Sequence, residues 1–159
     1  MNPLPSELAA TLAGLERGPA MLRDALRSMP EARWRAAPPS GGFCLVEQAW
    51  HLADLEREGF GVRVRRLLEE EEPFLPDFDG DRVARERDYA SRPLEGGIEA
   101  FAAARAANLA VLRSVDRTGW TRTGEQEGVG RITLLDVPRM MLRHDRSHAA
   151  EIETLLGEP

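Results

Sequence analysis

The residues in this chain best suited to chemistry are its three histidines, His51, His144 and His148. His144 and His148 stand four apart, so on a helix both rings leave the same face. On a wheel of about 100° per residue, that face also holds Val137, Met140, Met141, Glu151, Ile152 and Leu155, with Arg139, Arg146 and Glu153 opposite. The pair therefore lies in an apolar, core-facing stripe, where ionisable rings need partners. His51 lies on a second helical face with Cys44, Glu47, Gln48, Asp54, Leu55, Glu58 and Val62, a mixture unusually polar for a bundle interior. If the two helices pack together, three imidazole nitrogens can converge. Three neutral imidazoles with open positions beside them describe a catalytic-type divalent metal site. Asp54, Glu58 and Glu151 share these faces and are candidates to hold the second ring nitrogens, fix the tautomers or serve as general base. The same pattern also fits three core histidines satisfied by ordinary polar neighbours, and spacing alone leaves both readings open.

Cys44 shares the His51 face and is a candidate nucleophile or fourth ligand, although a small buried core thiol is the simpler expectation. Met140 and Met141 read as core or pocket wall. All 21 basic residues are arginine. That excludes a catalytic lysine, a Schiff base or a phosphate-loop lysine.

Helices must position these residues, and most of the chain has helical period. Leu4, Leu8, Leu12, Leu15, Leu22, Leu26 and Met29 form one stripe on a helix over 6–29, interrupted at Gly18-Pro19, where a kink or restart is predicted. A Pro- and Gly-rich loop over 30–42 follows, with Trp34 as its apolar anchor. A second helix is predicted over 43–72, ended by Pro73, Pro76 and Gly80, then a short charged helix over 81–90. A third spans 94–115. Residues 119–131 read as a loop or short β-like excursion. The fourth helix starts between Thr133 and Asp136, with Asp136 placed for a capping-box start, and ends near Leu156 before Gly157. Four long helices and one short one predict a single all-α bundle domain over 1–159.

Composition narrows the function classes. Net charge is −6 and the pI about 5.2, the wrong sign for a diffuse nucleic-acid grip. The single cysteine permits no internal disulfide. The N-terminus carries no secretory pattern and no apolar run reaches the ~20 residues that span a bilayer, so a cytoplasmic protein without a membrane segment is expected. The alanine-rich third helix suits close packing or a homodimer contact.

The segment GGFCLVEQAWHLAD, Gly41 to Asp54, resembles the first metal-ligand motif of the DinB/YfiT-like superfamily, a Gly-Trp-Ser-type entry followed by HLxxxE/D. The stretch from Gly130 through Thr133 to His144-Asp145-Arg146-Ser147-His148 and Glu151-Ile152 resembles its C-terminal G-x-x-T…H-D-x-x-H-x-x-Q-I pattern. Phe43 stands where tryptophan is usual, Cys44 where serine or threonine is common, and Glu151 where glutamine is frequent. The resemblance covers nearly the whole chain. It implies an up-down-down-up four-helix bundle and a divalent ion, zinc or nickel, on His51, His144 and His148. It further implies a thiol S-transferase that activates bacillithiol or mycothiol against a small-molecule electrophile. The alternatives on this scaffold are a metal-dependent hydrolase and a non-catalytic, stress-associated metal-binding protein.

Overall fold

Two of the four long helices are interrupted, and the polar centre of the molecule is built on those interruptions. The computed structural model describes residues 6–157; Leu4 of the N-terminal stripe lies outside them. The first rod is α1 (Ser6–Glu16) followed by α2 (Gly18–Ser28), with Pro19 in the first turn of α2. This is the predicted restart. Pro19 has no N–H to give the Leu15 carbonyl. Arg105, arriving from another helix, donates to that oxygen instead at 2.8 Å. A Cβ on Gly18 would fall 2.6 Å from both Arg105 Nη1 and Asp145 Oδ2, so glycine admits the guanidinium there.

The second rod is α3 (Leu45–Asp54), a π-helical stretch over Leu55–Phe60, and α4 (Gly61–Glu69). The Glu47 carboxylate accepts the Cys44 N–H at 2.9 Å and closes its start. Its inward positions run His51, Leu55, Phe60, Val64 and Leu67, and the five-residue step from Leu55 to Phe60 marks the inserted residue. That insertion turns Glu56 inward. Asn108 donates to the Glu56 carbonyl at 2.8 Å and to its carboxylate at 3.0 Å.

The third and fourth rods are α6 (Leu94–Ser114) and α7 (Asp136–Gly157). Asp136 accepts both the N–H and the hydroxyl of Thr133, which anchors the entry to α7. Between rods two and three come strand β1 (Phe74–Leu75), helix α5 (Gly80–Glu86) and a turn at Tyr89–Ser91. Strands β2 (Thr123–Gln126) and β3 (Gly130–Thr133) join rods three and four as an antiparallel hairpin, and β1 adds to β2 in parallel. The hairpin is the β-like excursion read from 119–131. The β1 strand corrects the expectation of a plain turn-rich connection, since two residues between Pro73 and Pro76 carry no strand period.

Cross-rod contacts fix the directions. Glu7 pairs with Arg139 at one end, and Arg33, just past α2, bonds the Leu155 carbonyl at the other, so rods one and four are parallel. Gly97 packs on Ala49, Arg105 binds Glu56 and Asn108 reaches residues 56 and 61, so rods two and three are parallel. Gln48 meets Glu151 and Phe60 meets His144, so rods two and four are antiparallel. The order is up-down-down-up, as expected. Parallel neighbours two and three need a return path, and residues 70–93 supply it.

The apolar core has two parts. One gathers Leu12, Leu15, Phe60, Leu112, Trp120 and Met141; the other gathers Leu22, Leu45, Ala49, Phe101 and Ile152. Arg105 touches both. Its guanidinium stacks over Phe101 at 4.7 Å and grips Glu56 (2.8 and 2.9 Å) and Asp145 (2.7 and 2.9 Å). At 2% exposure this is a charge cluster fully removed from water, and its hydrogen bonds offset the desolvation.

Candidate metal centre

The antiparallel packing of rods two and four brings the last turn of α3 against the middle of α7. His51 therefore meets His144 and His148, which lie one turn apart. One ring nitrogen from each lies within 4.8 Å of those of the other two. The Nε2 atoms of His144 and His148 are 3.0 Å apart, and the His51 ring centre is 4.9 Å from that of His148 and 5.5 Å from that of His144. Phe43, Phe60 and Phe78 pack around the three rings at 5.2, 5.8 and 6.3 Å. His51 and His148 are buried and His144 half-buried.

This environment keeps the imidazoles uncharged. Burial, then the neighbouring His148, lowers His51 to about 4. Burial, then His148, His51, Arg105 and Arg63, lowers His144 to about 3. His148 is also lowered by burial, against the pull of Glu151 and Asp145. Neutral nitrogen donors are what a divalent cation of the zinc type takes. The donor set passes a structural test of fit: three lowered, neutral imidazoles place one nitrogen each within 4.8 Å of the others, and His51 Nδ1 is buried without a hydrogen-bond partner among the described residues. Buried polar atoms are ordinarily partnered, and this one lies in a cluster of ligand-type nitrogens. The His51 ring packs against the backbone at Gly80, where a Cβ would fall 2.5 Å from its Cε1.

A stability consequence follows from the lowered values. Above pH 6.5 these rings are neutral in both the folded and the unfolded chain. As pH falls below 6.5 the unfolded chain takes up protons that the folded one refuses until about 4 and 3. Unfolding free energy of the metal-free protein should therefore fall by roughly 1.4 kcal/mol per pH unit for each refused proton. Urea unfolding at pH 7 and 4.5 checks this, with His51→Asn expected to flatten the dependence. An equal slope in the variant would contradict it.

The three candidate carboxylates part ways. Glu151 Oε2 lies 3.2 Å from His148 Nδ1, and Gln48 joins them, its Nε2 donating to Glu151 at 2.6 Å and its Oε1 facing His148 Nδ1 at 2.5 Å. Asp54 is fully buried on the expected face but holds no ring nitrogen. It accepts Tyr89 Oη and Arg87 Nη1, each at 2.6 Å, and also Arg57. Glu58 accepts two further bonds from Arg87, at 2.8 and 2.9 Å. The expectation that Asp54 and Glu58 orient the imidazoles is thus corrected. The π-helical stretch turns Glu58 outward, and the return segment supplies cations that claim both carboxylates. Cys44 is a buried thiol pushed up to about 11 by burial, so it stays protonated, which fits the core reading. Gln48 had drawn no role from its sequence position. Its place three residues before His51 was the only signal available.

Two of the three histidines, His51 and His148, open on a cleft of about 670 Å³ that Gln48 and Glu151 also line, with Phe43 and the segment 77–81 as walls; His144 lies behind them. Arg63, close by, is buried against Phe60, and its nearest carboxylate is Asp77 at 3.6 Å.

The model of the DinB superfamily matches residues 14–152. A protein of Geobacillus kaustophilus (strain HTA426), named provisionally as a metal-dependent hydrolase, is 23% identical over 150 residues, 94% of this chain and 84% of that protein. Among solved structures, YfiT from Bacillus subtilis superposes with a TM-score of 0.86 at 22% identity, over 98% of this chain and 89% of that one. It is described as a provisionally assigned metal-dependent hydrolase with an unusual four-helix bundle topology. No helix among the described residues is long and apolar enough to cross a membrane.

Proposed function

This chain belongs to the DinB superfamily, and we propose that it holds a divalent cation, zinc or nickel, on His51, His144 and His148 and hydrolyses a small electrophile in the adjoining cleft. The observation that carries this reading is the set of three uncharged imidazoles, two buried and one half-buried, with mutually close nitrogens, two of them lining an open cleft. The names of the two relatives point the same way. When bound, such a cation lowers the pKa of a coordinated water or thiol and polarises a carbonyl.

The chain's own residues supply the rest. Glu151 is half-exposed at the cleft and fixed by Gln48, so it is the carboxylate placed to take a proton from a nucleophile there. Phe43 and Phe78 cover His51 and keep water from its buried side. Asp54 and Glu58, tied up by arginines, act on the scaffold: they fasten the return segment to rod two and so hold the wall at Gly80 against His51.

Transfer to a thiol such as bacillithiol or mycothiol is the competing chemistry at the same site, and one assay separates them. Protein loaded with zinc or nickel is offered a panel of activated esters and amides with and without low-molecular-weight thiols. Thiol-independent turnover, reduced at least tenfold in Glu151→Gln, is expected. Turnover that needs the thiol and yields its conjugate would overturn the hydrolytic reading in favour of transfer.

A further inference from the structure

We propose that Gln48 is a positioning residue that relays the charge of Glu151 into the tautomer of His148. This rests on the metal-site reading for its purpose, though not for its geometry. An ionised carboxylate only accepts hydrogen bonds. With Glu151 Oε2 at 2.6 Å, the Gln48 amide must therefore turn its NH₂ toward Glu151. The opposite amide orientation would set two oxygens against each other. The amide oxygen is thereby forced toward His148 Nδ1, 2.5 Å away. Since that oxygen only accepts, Nδ1 must carry the proton. The bare lone pair is then on Nε2, the nitrogen that faces His144 Nε2 at 3.0 Å. Glu151 Oε2 itself, 3.2 Å from Nδ1, enforces the same choice.

The arrangement links rods two and four through one amide. It also makes the identity of residue 151 matter. A glutamine at 151 offers both a donor and an acceptor, so the Gln48 amide can sit either way round and its control over His148 is lost. Exchanging the two side chains, Gln48→Glu together with Glu151→Gln, restores the logic with the charge moved. The carboxylate on rod two then accepts from Nδ1 on one side and from the amide on rod four on the other.

The test uses metal-free full-length protein labelled with ¹⁵N. Long-range ¹H–¹⁵N spectra distinguish an Nδ1-protonated from an Nε2-protonated ring directly. Wild type is expected to show His148 as the Nδ1–H tautomer alone, Glu151→Gln as a mixture, and the exchanged pair Gln48→Glu/Glu151→Gln as Nδ1–H again. Cobalt or zinc affinity, read by chelator competition, should fall about 10–100-fold in the single variant and recover in the exchanged pair, as for other outer partners of histidine ligands. A single Nδ1–H tautomer in Glu151→Gln, or an Nε2–H ring in wild type, would overturn the relay. Wild type that shows the Nδ1–H tautomer but takes up no cation would instead remove the metal reading and leave the relay standing.

Discussion

Replacing Arg105 with methionine is expected to cost about 3–5 kcal/mol of folding stability, the usual consequence of stranding a buried charge. Arg105 has four bonds to two carboxylates that are themselves buried, Glu56 at 1% and Asp145 at 5% exposure. Without the guanidinium those carboxylates face each other in a medium that screens poorly, and the Leu15 carbonyl that Pro19 leaves open loses its donor. Domains of this kind are stable by only about 5–15 kcal/mol, so a large fraction would go. The triple variant Glu56→Met/Arg105→Met/Asp145→Leu should recover part of the loss, because apolar replacement of a whole buried ion cluster is often neutral or better. Urea unfolding of the three proteins decides it. A single-variant loss below about 1 kcal/mol would mean that water reaches the cluster and that its charges are screened.

What could be read from the chain and what could not divides along physical lines. The i,i+4 pair His144 and His148 was visible because α7 is a regular helix, so the wheel's apolar stripe and the buried face agree. The break at Gly18-Pro19 was visible because proline acts locally. Up-down-down-up order came from the resemblance, and the structure supports it through cross-rod contacts such as Glu7 with Arg139 and Glu56 with Arg105. The π-helical stretch over Leu55–Phe60 was not visible. A wheel at fixed pitch turns Glu58 inward and Glu56 outward, and one inserted residue exchanges them. Asp54 lay on the correct face, yet its partners Arg87 and Tyr89 come from a segment more than thirty residues away, and pairing at that range leaves no local pattern. Gln48 carried only its place three residues before His51, since an amide on a helix acquires a role only when the opposing residue is known.

The second large effect belongs to the proposed centre itself. Loss of an outer partner of a histidine ligand weakens metal binding by roughly 10–100-fold, so loss of a ligand should exceed that. In His148→Ala the remaining pair, His51 and His144, sits on separate rods with nothing to hold the vacated position. The ring also carries the bonds to Gln48 and Glu151, so its removal frees both. The decisive measurement is metal content per chain for wild type and His148→Ala, purified identically and dialysed against the same trace of zinc, with the cobalt-substituted absorption spectrum alongside. Wild type should retain one divalent ion per chain and give a cobalt spectrum of nitrogen-rich, low-coordinate type, and the variant should retain almost none. Full stoichiometric metal in His148→Ala, or none in wild type, would contradict the account.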